Sequence, residues 1–168
     1  MAMSFSNHLN SFLNLIKLRD LNREYQKIKK LFRKASDSRK RSDWEQAKVE
    51  YEKYTKYVYN KDIDAWSEFG EIYSHLGEFD KSEFDEAIKC FKKAIKLQHN
   101  NPFYHIRLAE NYLKNENNKE ALEEFKKLHK KEPTNVAYLI NCGILQLRLE
   151  QKDELDIIKK LNNLADSS

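Results

Sequence analysis

Glycine, proline and cysteine are nearly missing from this chain, with three, two and two among its 168 residues. So few turn formers leave little room for a sheet, whose hairpins need glycine and proline at set places, and helix is predicted almost throughout. Cys90 and Cys142 stand 52 apart, with no CxxC or Cys/His cluster. That spacing encodes neither a disulfide framework nor a zinc site. With three glycines a phosphate-cradling loop has no material, and no GxGxxG, GxxxxGK or GxSxG stretch occurs. The five histidines (8, 75, 99, 105, 129) pair with no helix-spaced carboxylate or cysteine in a known ligand motif. No catalysis, cofactor or metal is expected. A continuous run of about 20 apolar residues is also missing, and no charge or secretory pattern precedes Lys17. The expectation is a soluble cytoplasmic protein.

Charge is present but uneven. Between Lys17 and Arg41 eleven Lys/Arg face three acids, a local +8 in a chain whose total is +4, so a basic front precedes a mildly acidic body.

The body repeats. Trp66, Phe69, Gly70 and Tyr73 fall at W-x2-L-G-x2-Y with one aromatic exchange, and Ala87, Phe91 and Ala94 follow at A-x3-F-x2-A. The pattern returns as His105, Leu108, Ala109 and Tyr112, then Ala121, Phe125, Leu128 and Pro133. It returns fainter as Leu139, Cys142 and Gly143, where Gln146, Leu155 and Lys159 depart from it. The small residues 70, 109 and 143 are spaced 39 and then 34 apart. The excess lies where EFDKS (78–82) is followed by EFDEA (83–87), which predicts a longer connection or an extra first turn on the next helix. Glycine inside a helix costs about 1 kcal/mol relative to alanine, so Gly70 implies a close helix crossing that a side chain would wedge apart.

These motifs resemble the tetratricopeptide repeat, a helix-turn-helix unit of about 34 residues. The resemblance implies an all-α, TPR-like α-solenoid of about three helix-turn-helix repeats with an N-terminal helical extension. The extension covers 1–42 and the repeat domain 43–168, with repeats at about 63–101, 102–135 and 136–165. A degenerate half-repeat at 43–60 has Ala47, Tyr51 and Tyr54 in the second-helix pattern, opens on the capping box Ser42/Glu45, and has its partner helix within 27–40, where Ala35 is the small residue. Asn100/Asn101 before Pro102, and Thr134/Asn135 after Pro133, supply helix stops and starts.

In the N-terminal extension Phe5, Leu9, Phe12 and Ile16, then Leu18, Leu21, Tyr25, Ile28 and Phe32, recur at steps of three and four. Arg19, Arg23, Lys27, Lys30 and Lys34 cluster on the opposite side. The apolar stripe is open to docking on the array or to pairing with another copy as a homodimer. The basic stripe is open to solvent, to nucleic acid or to an acidic membrane surface, although no aromatics interleave with it to stack on bases.

In the family that these motifs resemble, partners lie in the concave groove of the first helices. Carried over position by position, the groove residues are Ser67 and Glu71, then Phe103, Ile106, Glu110 and Leu113, then Ile140, Ile144 and Leu147, a gradient from polar to apolar. Family members that clamp the C-terminal carboxylate of heat-shock chaperones place Lys with Asn or Arg at the middle two positions. Here those positions hold Ser67/Glu71, Ile106/Glu110 and Ile140/Ile144, which repel a carboxylate or offer it no donor, so chaperone-tail binding is not expected. The layout is also similar to the small type III secretion chaperones, which hold hydrophobic translocator segments. DAWSEFGEIY with FYHIRLAENY looks like the repeat subunit of the endoplasmic reticulum membrane protein insertion complex. The expected function is a noncatalytic adaptor or scaffold that binds a peptide or amphipathic helix of another protein. A chaperone-like holder, a subunit of a larger complex, and a binder of nucleic acid or acidic membrane through the basic helix are the alternatives.

Overall fold

Every described element is a helix. The computed structural model describes the backbone of residues 2–57 and 62–165, and the side chains of 19–55 and 62–152. Its elements are α1 (Ala2–Ser38), α2 (Arg41–Tyr57), α3 (Ile63–Leu76), α4 (Glu83–Leu97), α5 (Pro102–Lys114), α6 (Asn118–Lys131) and α7 (Val136–Ala165). Each helix packs chiefly on the next in chain order, from α1 on α2 to α6 on α7, so that successive hairpins stack as in a solenoid.

Local chemistry sets the helix ends. The Asp62 carboxylate accepts from the Ala65 amide at 3.0 Å to open α3. Asn101 accepts from the Phe103 amide at 3.1 Å with Pro102 at the first helical position, and Asn135 accepts from the Ala137 amide at 3.2 Å, so both predicted starts are present. Between α3 and α4 the connection runs over residues 77–82, against 115–117 between α5 and α6, as the duplicated EFD segment implied. Ser82 donates backbone and side-chain hydrogen bonds to Asp80 within it.

The core follows the repeat positions. Phe69, Ile72, Ala87, Phe91, Ala94, Leu108, Ala109, Ala121, Phe125 and Leu128 are all buried. Gly70 packs against the ring of Phe91, so the missing side chain makes room for an aromatic ring at the α3–α4 crossing.

The same arrangement extends upstream. Ile28 and Ala35 of α1 are buried with Trp44, Ala47, Tyr51 and Tyr54 of α2, and Phe32 meets Trp44 edge-on with ring centroids 5.7 Å apart. Leu21, Tyr25 and Leu31 pack against this cluster. From Leu21 to Ala35, then, the apolar stripe is spent on the array itself, and α1 with α2 is a full helical hairpin. The side chains of Phe5, Leu9, Phe12, Ile16 and Leu18 lie outside the described residues. Arg39, at φ 53°, reverses the chain in the short link between the two helices.

Three expectations are corrected. The boundary at 42/43 falls inside α2, which begins at Arg41. Ser42 therefore sits in the first turn rather than at the cap, and Glu45 accepts from Arg41 Nε at 2.8 Å in place of a capping box. The hairpin expected at 136–165 does not form, because α7 is one helix of 30 residues. Leu149, Glu150, Gln151 and Lys152, about one repeat length after the α5–α6 link, are all competent helix formers, and no glycine, proline or asparagine interrupts them. The fold is thus three hairpins, α1/α2, α3/α4 and α5/α6, followed by a terminal helix.

Candidate protein-binding groove

The first helices α3, α5 and α7 carry the groove positions. α3 and α5 are tied side by side: Arg107 Nε lies 2.7 Å from Glu71 Oε1, and Lys114 Nζ lies 3.0 Å from Glu78 Oε1. Arg107 also donates from Nη1 to Glu110 Oε2 at 2.9 Å, and its guanidinium stands 5.4 Å from the Phe103 ring centroid. The Arg107–Glu71 pair is close but lacks hydrogen-bond alignment, and burial holds the Glu71 carboxyl above its usual range, with Arg107 opposing that shift. The polar end of the groove is therefore an ion-pair lattice spanning two repeats.

At the upstream end His75 stacks on Trp44 with centroids 4.3 Å apart, and burial lowers its imidazole pKa below the ordinary value. A cleft of about 290 Å³ opens there, lined by Ser36, Arg39, Trp44, His75, Glu78 and Phe79. Ser67 does not line the groove. It is buried, as is Ser74 two turns later, so it offers a partner almost no surface.

The remaining groove positions differ in exposure. Phe103, Ile140, Ile144 and Leu147 are exposed, while Ile106 and Leu113 are half-buried against the core. The groove positions thus pass from an ion-pair lattice on α3 and α5 to bare aliphatics on α7.

On α1, Arg19, Arg23, Lys27, Lys30 and Lys34 are all exposed, as expected of the stripe. Two of them are partly neutralised, Lys27 by Glu24 at 2.6 Å and Lys34 by Asp43 at 2.8 Å. Exposed Arg33, not singled out by the stripe, shares a shallow depression with Lys30, Lys34, Asp37 and Ser38.

Arg107 is the groove residue that sequence reasoning missed. Its i,i+3 spacing to Glu110 is readable, but its partner Glu71, 36 residues away on another helix, is not. Among the described residues no group of His, Cys, Asp and Glu could hold a metal ion, and no helix is long and apolar enough to cross a membrane.

A family model for the TPR repeat matches residues 78–116. No curated protein matches the chain significantly in sequence. Among solved structures, TTC0263, a thermophilic TPR protein of Thermus thermophilus, is 26% identical with a TM-score of 0.52, over 70% of this chain and 57% of its own. The chain thus spans little more than half of that protein. The second TPR domain of human RPAP3, in complex with an HSP70 peptide, is 14% identical with a TM-score of 0.58, over 75% of this chain and 98% of that domain. The Yersinia enterocolitica type III secretion chaperone SycD, in complex with a peptide of the translocator YopD, is 13% identical with a TM-score of 0.54, over 73% of this chain and 95% of its own. The latter two likenesses are of fold. The repeat motif is thus matched over the α4–α5 region, and the stacked hairpins on either side of it give this chain a TPR-like α-solenoid fold.

Proposed function

We propose that the chain is a noncatalytic protein-interaction adaptor of the cytoplasm that holds a peptide or amphipathic helix of a partner along α3, α5 and α7. One observation carries this reading: Phe103, Ile140, Ile144 and Leu147 are exposed, beside half-buried Ile106 and Leu113, at the groove positions of α5 and α7, in a fold whose members RPAP3 and SycD are found in complex with peptides. The partner segment that suits this face carries aliphatic anchors for α5 and α7 and, at its other end, polar groups that meet the Glu71–Arg107–Glu110 ion-pair lattice. A free C-terminal carboxylate does not suit it, since both acidic groups would repel it. The bare aliphatics favour a partner segment with its own hydrophobic face over a charged tail.

Ile106→Glu combined with Ile144→Glu tests the reading. Helicity by circular dichroism should be unchanged, while partners captured by the wild-type chain and identified by mass spectrometry should be lost. Unchanged capture moves the site off the groove. Capture that survives in the double variant but disappears at high salt, and on Arg23→Glu with Lys30→Glu, assigns binding to the basic face of α1 and to nucleic acid or acidic lipid instead. A labelled peptide with the C-terminal tail of a heat-shock chaperone should not bind.

A further inference from the structure

α7 is apolar on two opposite sides. Tyr138, Cys142, Leu145 and Leu149 pack toward α6. At about 100° per residue, Val136, Leu139, Ile140, Ile144 and Leu147 centre on the direction roughly opposite, and these five are 46–63% exposed. A helix apolar all round belongs in an interior. In the α3/α4 hairpin the second helix covers the corresponding side: Gly70 lies under Phe91 of α4. In α5/α6 the equivalent Ala109 is fully buried. Gly143 occupies the same repeat position on α7, yet a Cβ there would meet nothing within 4 Å. The backbone at Gly143 is bare because α7 continues to Ala165 without turning back.

We infer that this side of α7 is covered by the α7 of a second copy of the chain, antiparallel, about a two-fold axis passing between residues 141 and 142. The stripe is complementary to its own reverse. That axis sets Val136 against Leu147 of the other copy, Leu139 against Ile144, and Ile140 against Gly143, so a bulky side chain stands opposite the glycine and the two backbones can approach. A parallel arrangement would set Gly143 on Gly143 and leave a void. Five half-exposed aliphatics per copy offer on the order of 1,000 Å² of joint surface, at the low end of specific interfaces, so the dimer is reversible and depends on concentration. Covering the stripe by the chain's own distal half would need a helix break at residues 149–152, where the sequence supplies no breaker.

Ile140, Ile144 and Leu147 belong to both surfaces, so a groove partner and a second copy compete for α7, whereas Val136 and Leu139 belong to the dimer stripe alone. Sedimentation of the full chain from about 10 μM to about 1 mM reads association down to a Kd near 1 mM. The expected result is a monomer–dimer equilibrium. Leu139→Lys and Ile144→Glu should each weaken it by at least about tenfold with unchanged circular dichroism. Mixing the two variants should restore the dimer, because one contact then pairs the introduced ammonium with the introduced carboxylate while the other keeps Leu139 on Ile144. A folded chain still monomeric at about 1 mM, a dimer insensitive to both variants, or a mixture that stays monomeric overturns the proposal. Ile106→Glu, on α5, should abolish groove capture and leave the dimer, and Leu139→Lys should do the reverse, so the two readings fail separately.

Discussion

Gly70 and Phe91 meet at the α3–α4 crossing: a Cβ on Gly70 would lie 2.8 Å from Cζ of the Phe91 ring and 2.9 Å from Cε2. Phe91 is fully buried, so its ring has nowhere to retreat. Gly70→Ala should therefore destabilise the chain by about 1–3 kcal/mol through overpacking, despite the gain in helix propensity. Gly143 is the internal control. Its Cβ would meet nothing within 4 Å in the single chain, and Gly143→Ala should stabilise the monomer, measured in dilute solution, by up to about 1 kcal/mol. Denaturant midpoints of the two variants should move in opposite directions.

His105, at the tryptophan position of the second hairpin, joins three segments. Its Nδ1 lies 2.7 Å from Glu124 Oε2 on α6, and its Nε2 lies 3.0 Å from the His99 carbonyl in the link before α5. Lys127 donates to the other Glu124 oxygen at 2.7 Å. Removing the imidazole strands a buried carboxylate and a backbone acceptor together, so His105→Ala should cost about 2–4 kcal/mol. Glu124→Gln, which keeps an acceptor in place, should cost less. A double-mutant cycle on the pair should show a coupling above about 1 kcal/mol.

A layer of tyrosines makes the fold sensitive to alkali. Tyr25 and Tyr51 both donate to Glu68, Tyr54 donates to Asp62, and Tyr73 donates to Glu52. Burial first, and then these carboxylates, raise all four phenol pKa values, and burial pushes the Cys90 thiol up to about 12. A raised acid stays protonated in the folded chain while it ionises in the unfolded one. The stabilisation is therefore complete below the unfolded values, about 8.5 for the thiol and about 10 for the phenols, and is lost as pH rises toward the folded ones. Denaturant midpoints should be level near neutrality and fall progressively above about pH 9, with a shallower fall for Tyr51→Phe. Cys90 should resist a thiol reagent at about pH 8 until the chain is unfolded.

Periodicity made most of the array legible. Gly70, Ala87, Phe91, Ala109, Ala121 and Phe125 sit in the crossings that their spacing demanded, and Ala35, Ala47 and Tyr51 build the weaker hairpin before them. The third unit misled because Gly143 keeps the repeat spacing although no second helix returns to it. A repeat motif marks where a helix could be crossed, whereas a turn needs residues that break the helix, and residues 149–152 contain none.

Helix content, the placement of caps at Asn101 and Asn135, and the apolar faces of α3 to α6 were determined by the sequence alone, because each depends on residues within a few turns of one another. Tertiary structure alone decided that Ser67 is buried, that Arg107 bridges Glu71 to Glu110, and that the far side of α7 stands open. Each of these depends on which distant helix, if any, covers a given face, and the local pattern of a helix shows that a face is apolar without showing what lies against it.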